Sequence, residues 1–220
     1  MKNKITTLLV LSALTLGAIS CKGDKKVETT DAKPVAKVVT EVATMETYKA
    51  IPAQTMITWD AQKIVGGHQG TINASSGVLG IKADKVVSGS FIIDINTIEC
   101  TDIEDDATKA KLLGHLKAED FFDVANNPNG AFEITSITPA GEKSTVAGNL
   151  TLKGIKKNIE FPATITVNNG TATIKSESFN IDRTEWGINY NSGKITDAAA
   201  LGDKLIKDEI GITVAIIAQK

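Results

Sequence analysis

Two cysteines, two histidines and a few acids set beside aromatic residues are the groups in this sequence that could do chemistry. Cys21 closes the run Ala18-Ile19-Ser20-Cys21, with small residues ahead of a thiol. That arrangement resembles a lipobox, in which the thiol is acylated and the chain is then cut in front of it. Cys100 is left without a partner, and one thiol makes no internal disulfide. It reads as a small strand-end residue, because a reactive thiol needs an activating neighbour. His68 sits in the Gly-rich segment 66–70, where it could donate to a polar head group at a cavity entrance or be satisfied by backbone. His115 suits a structural hydrogen bond that fixes the 114–123 loop. Zinc sites use several ligands, usually with a close-spaced pair, and the two histidines are far apart in sequence, so no metal is expected. Asp182-Arg183 beside Trp186 suits a charged pair stacked on the indole, or a structural cluster at a strand end. Asp120 and Asp123 flank Phe121 and Phe122. Such acids more often cap a turn than work as an acid–base pair.

The elements that must position these groups begin after a leader. Lys2 and Lys4 precede an uncharged apolar run from Ile5 to Ile19. A membrane-spanning helix needs about 20 apolar residues, so this run is short for one. Its length and flanks are those of a secretory signal. We therefore expect residues 1–20 to be removed and Cys21 to become the lipid-bearing first residue of an envelope protein. Lys22 is not the aspartate associated with inner-membrane retention, which points to the outer membrane. Removing residues 1–20 takes away two lysines and no acid, leaving 22 basic and 26 acidic residues. No basic cluster suggests nucleic acid.

Residues 22–44 contain no aromatic residue and no convincing period, so 21–45 reads as a lipidated N-terminus and flexible tether. A short helix near 38–46 is compatible with its composition. From Tyr48 apolar and polar residues alternate, with turn residues every 8–12 positions. Phe91, Ile93 and Ile95 share one parity, as do Val146, Leu150 and Leu152. Asn169-Gly170 is a hairpin signal, because both residues tolerate positive φ. The stretch 101–122 is the helical exception, with Thr101-x-x-Glu104 fitting a capping box and Leu112, Leu113 and Leu116 forming an apolar face. The expected fold is all-β: an eight-stranded antiparallel barrel over 46–220 with one helical excursion around 101–122. A barrel of that size holds one slender ligand. Phe91, Ile93, Phe132, Ile134, Leu150 and Leu152 are the expected inward residues, although alternation alone does not say which face is inside.

Several segments, in order, resemble the YceI-like family. They are Gly66-Gly67-His68-Gln69-Gly70, Gly89-Ser90-Phe91-Ile92-Ile93-Asp94-Ile95, Gly114-His115-Leu116-Lys117-Ala118-Glu119-Asp120-Phe121-Phe122-Asp123, Gly148-Asn149-Leu150-Thr151-Leu152-Lys153-Gly154 and Ile181-Asp182-Arg183-Thr184-Glu185-Trp186-Gly187. The resemblance covers about 46–220. It implies a lipocalin-like barrel whose elongated apolar cavity takes a polyisoprenoid, an isoprenoid quinone or a similar long-chain amphiphile, with no established catalytic machinery. His68, Arg183 and Trp186 join the six inward residues as candidate ligand contacts. The segment 194–200 departs from related lipoproteins, which have a shorter and more aromatic link there.

Three functions compete. The first is a lipid-binding module for carriage or sequestration, with no cofactor beyond a bound isoprenoid-like lipid and with the membrane as partner through acylated Cys21. The second is a non-catalytic structural or interaction protein of the envelope. The third is a hydrolase built on His68 or the Asp120 region, for which the sequence offers no Gly-x-Ser-x-Gly elbow.

Overall fold

Residues 25–35 and 45–220 are described by a computed structural model. Period-two alternation becomes strand almost throughout. In chain order the elements are β1 (Lys25–Lys26), β2 (Thr30–Asp31), β3 (Glu46–Ala50), β4 (Met56–Lys63), β5 (Gly67–Lys82), β6 (Lys85–Cys100), α1 (Asp106–Lys117), β7 (Asn129–Ala140), β8 (Lys143–Leu152), β9 (Ile155–Asn168), β10 (Thr171–Ser176), β11 (Phe179–Asp182), α2 (Ala198–Leu201) and β12 (Ile206–Gln219). Antiparallel pairing runs from β4 through β5, β6, β7, β8, β9 and β10 to β12, and β12 pairs back onto β4. The expected eight-stranded barrel therefore closes. β3 prolongs the line of β4 between the same two neighbours, and β11 prolongs β10 along β12.

The turns carry the register. Asn169 and Gly170 have φ of 48° and 74° between paired Asn168 and Thr171. This is the two-residue hairpin whose twist matches the strands it joins. The longest strands, β5 and β6, cannot wrap a barrel without bending, and register shifts between Thr71 and Asn73 and between Ala74 and Ser76 supply the bends.

Two parts of the barrel wall are not completed by neighbouring strands. Beyond Asp94, β6 leaves β7 behind. On that side α1 and the turn after it bring Leu116 and Phe121 against Trp59, Ile72, Ile98 and Ile188. The helix is shorter than the expected 101–122. Its cap is Asp105, whose side chain accepts from the Thr108 amide at 2.8 Å, and not Thr101. Thr101 is held elsewhere, because its amide donates to the Gln69 carbonyl at 2.9 Å and prolongs the sheet. His115 lies in the last turn of α1, where it meets Asp120 at 3.0 Å and sits edge-on to Phe121 and Tyr190.

The second gap opens where β9 and β11 part. Residues 25–35, read from sequence as part of a flexible tether, bridge it. β1 pairs parallel to β11 and β2 pairs antiparallel to β9. Val27 is buried in the main core. Buried Asn149 accepts from the Lys33 amide at 2.9 Å and donates to the Lys33 carbonyl at 2.7 Å. Asn158 donates to the same Asn149 oxygen and to Thr135. Lys26 bridges Asp182 at 3.2 Å and Glu209 at 3.1 Å. The composition of 25–35 gave no sign of this because the docking rests on backbone pairing and a single apolar side chain. The helix considered near 38–46 is replaced at its end by β3, which begins at Glu46; residues 36–44 lie outside those described.

Asp182 links these parts. Its carboxylate accepts from the Thr184 amide and hydroxyl and faces Lys26 and Lys194. Burial pushes this carboxyl up, but the hydrogen bonds from Lys194, Thr184 and Lys26 outweigh it and bring its pKa down to about 2. A carboxyl held below its unfolded value stabilises the fold above that value and loses the contribution as pH falls through the folded one. Stability is therefore expected to drop between about pH 4 and pH 2, and Asp182→Asn should flatten that part of a denaturation-versus-pH curve. Asn149→Ala removes both bonds to Lys33. It should cost about 2–3 kcal/mol in urea unfolding and raise hydrogen exchange across residues 25–35.

Candidate functional site

The inward faces of the closed barrel surround an apolar cavity. Its volume is about 170 Å³. The lining follows β6 from Phe91 to Ile98, a length of roughly 20 Å at strand rise, so the space runs along the barrel. Leu116, Phe121, Phe122 and Ile188 line the end covered by α1. At the other end the cavity gives way to solid core, where Tyr48, Leu79, Ile81 and Val86 pack together without lining it.

Glycines on the inner faces give the rings their places. A Cβ at Gly148 would lie 2.2 Å from Cζ of Phe132. The Phe132 ring therefore lies flat across the neighbouring strand, and its face forms cavity wall. Likewise a Cβ at Gly70 would meet the Glu99 carbonyl at 1.8 Å and Trp59 Cζ2 at 2.6 Å, so Trp59 lies over a bare stretch of backbone.

Phe91, Ile93, Phe132, Ile134, Leu150 and Leu152, the six expected inward residues, all line this cavity, and so does Arg183. Arg183 is nevertheless engaged. Its guanidinium donates to the carbonyls of Lys207, Ile188 and Ile206 and meets Asp208 at 3.4 Å. Burial lowers its pKa, with Asp208 and Asp182 opposing the shift. It contributes wall and tied charge, while its donors serve the 183–208 segment.

Two candidates lie elsewhere. Trp186 is fully buried outside the lining and donates through Nε1 to the Leu150 carbonyl at 3.1 Å. It fixes the first turn after β11 to β8. His68 is also absent from the lining and pairs through Nδ1 with Asp102 Oδ2 at 3.2 Å. The divergent segment 194–200 contributes no lining residue. Asp123 adopts a positive φ of 48° and receives the side chains of Asn126 and Asn127, which makes it a turn residue. Cys21 lies outside the described residues.

Sequence reasoning missed two polar side chains of the cavity wall. Thr55 and Trp59 line it from one face of the β4 line, and among the described residues neither Thr55 Oγ1 nor Trp59 Nε1 has a hydrogen-bond partner. Buried polar groups are nearly always satisfied, so two orphans buried in residues of the cavity wall are unusual. Parity with Ile57 would have put both inside once the inner face was known. The missing partners became visible only in three dimensions.

The comparisons with known proteins agree with this architecture. A UPF0312 protein of Pseudomonas aeruginosa is 30% identical over 111 residues, which is 45% of this chain and 53% of that protein. One from Yersinia pestis is 32% identical over 84 residues, 38% of each chain. The aligned part spans about half the length of the former and less of the latter. Among solved structures, BcnA of Burkholderia cenocepacia matches with a TM-score of 0.60 at 22% identity, covering 77% of this chain and 99% of that one. A polyisoprenoid binding domain from Saccharophagus degradans matches with a TM-score of 0.56 at 13% identity, covering 78% and 97%. These two likenesses show the shared fold. Residues 48–218, nearly the whole barrel, match the YceI-like domain, and the chain belongs to that family.

Proposed function

We propose that this chain is an envelope lipoprotein that binds one long-chain amphiphile in its barrel cavity, for carriage or sequestration. The ligand class is a polyisoprenoid, an isoprenoid quinone or a lipid of similar shape. The observation that carries this reading is the apolar chamber inside the barrel, two of whose lining residues, Trp59 and Thr55, hold a buried polar atom without a partner just behind the wall. A slender hydrocarbon chain entering the chamber leaves water at roughly 25 cal/mol per Å² of apolar surface. A small turn of the Trp59 ring would let an oxygen on the same ligand accept from the indole N–H, which favours an amphiphile over a plain hydrocarbon. The Saccharophagus domain of the same fold is described as polyisoprenoid binding, in keeping with this reading. No step of bond making or breaking is called for.

The anchor is part of the proposal. If Cys21 carries the lipid, docking from Lys25 onward leaves only three residues between lipid and barrel wall. Four residue steps span at most roughly 14 Å. The barrel would then be held against the bilayer by its β9–β11 seam, close to the source of an apolar ligand.

Protein isolated from membranes should carry an extra mass of several hundred daltons in native mass spectrometry. Ala74→Trp, which fills the chamber from a buried wall position, should lower that occupancy by at least about tenfold while the barrel stays folded. Ligand-free protein that takes up neither isoprenoids nor quinones would overturn the reading. Cys21→Ser should move the protein from the membrane to the soluble fraction, and unchanged membrane association would remove the anchor.

A further inference from the structure

A second cluster of functional groups lies just outside the cavity, at the end of the barrel covered by α1. The β5–β6 ladder pairs Gly70 with Cys100. It continues past the end of β6, because both the amide and the hydroxyl of Thr101 donate to the Gln69 carbonyl. In that register His68 stands opposite Asp102. Residues 68, 70, 100 and 102 therefore form the four corners of a square on one face of two paired strands. Three corners hold an imidazole, a thiol and a carboxylate. The fourth is a glycine.

The three side chains converge. Cys100 Sγ is 2.9 Å from Asp102 Oδ1, and His68 Nδ1 is 3.2 Å from Asp102 Oδ2. One donor atom from each of the three lies within 4.8 Å of the other two. Ligands on a tetrahedral zinc ion, with bonds of about 2.0–2.3 Å, stand roughly 3.3–3.5 Å apart, so modest side-chain shifts would bring the three groups onto one ion. The carboxylate is oriented by a second contact, since the Gln69 amide donates to Asp102 Oδ1 at 3.2 Å. Such outer contacts are typical supports of metal ligands. At the glycine corner the edge of the Trp59 ring comes close to Gly70, which puts an apolar surface beside the cluster. Cys100 is buried, while the side chains of His68 and Asp102 keep 31% and 28% of their surface exposed. An ion thus has a route in from solvent and a buried sulfur to meet.

We propose that His68, Cys100 and Asp102 form a binding site for a zinc-class divalent transition-metal ion. The donor set decides the class. A thiolate and an imidazole select zinc and its neighbours over magnesium or calcium, which prefer all-oxygen shells. Three protein ligands leave a fourth position for water or for an exogenous donor. Binding exchanges the Cys100 proton for the metal, so one proton goes to solvent for each ion bound. The site joins β5, the end of β6 and the segment leading into α1. A bound ion would therefore pin the element that covers the cavity. Spacing along the chain hid this site, because 68 and 102 meet only through the strand register.

Cobalt(II) is the probe. Added to the reduced full-length chain, it should give an intense near-ultraviolet thiolate-to-cobalt band and the strong visible bands of a tetrahedral ion, saturating at one equivalent. Cys100→Ser should abolish the near-ultraviolet band, which also separates this thiol from Cys21. His68→Gln and Asp102→Asn, both at part-exposed side chains, should weaken cobalt binding at least about tenfold while far-ultraviolet circular dichroism stays unchanged. Zinc should raise the melting temperature of the parent and leave His68→Gln unmoved. Absence of the charge-transfer band, its survival in Cys100→Ser, or equal affinity in His68→Gln and Asp102→Asn would overturn the site. The last test remains available even if Cys100→Ser fails to fold.

Discussion

Closing eight strands into a ring makes every strand present alternate side chains to one enclosed space. That space must be filled by side chains or left as a chamber. At the end holding Tyr48, Leu79, Ile81 and Val86 it is filled. Further along, the inner positions carry Ile, Leu and Phe side chains that meet across the barrel without closing it, and Gly148 lets the Phe132 ring lie flat. Interiors normally pack to a density of about 0.75. A long apolar void is therefore a cost to stability, and a ligand that occupies it offsets that cost.

Closure is incomplete at two seams, and the chain outside the ring repairs both. At the β6–β7 seam, α1 and Phe121 complete the wall with apolar side chains. At the β9–β11 seam the repair is polar: the Asn149 amide grips the backbone of Lys33, and Lys26 reaches Asp182 and Glu209. The two repairs differ in how readily they open. The first buries large side chains, whereas the second buries little beyond Val27 and depends on neutral amide hydrogen bonds and on ion pairs, of which acid weakens the ion pairs. The seam repaired by the N-terminal segment is also the one that the proposed lipid anchor would face.

Much of the wall was legible in the sequence. Phe91 with Ile93, Phe132 with Ile134 and Leu150 with Leu152 were placed by parity, and the turn at Asn169-Gly170 by its chemistry. Alternation says which residues share a face, and closure of the ring then makes that face the inside. What stayed hidden depended on partners distant in sequence. For His68 the sequence offers a head-group donor or a histidine satisfied by backbone; its actual partner, Asp102, arrives only with the β5–β6 register. Of the two readings of Asp182-Arg183 with Trp186, a stacked pair or a structural cluster at a strand end, the contacts match the second: the indole N–H goes to Leu150 and the guanidinium to three carbonyls and Asp208. Thr101 fitted a capping pattern but was already committed to the sheet, which left the cap to Asp105.

The central proposal is that the cavity receives an oxygen-bearing isoprenoid whose polar end meets Trp59. The indole N–H resonances of the two tryptophans test it directly, because Trp186 is already bonded to Leu150 and serves as an internal reference. Titration of nitrogen-15-labelled protein with an isoprenoid quinone should shift the Trp59 indole signal downfield, saturating at one equivalent, while the Trp186 signal holds its place. A Trp59 signal that stays unmoved at saturating quinone, or that moves no more than Trp186, would contradict the account.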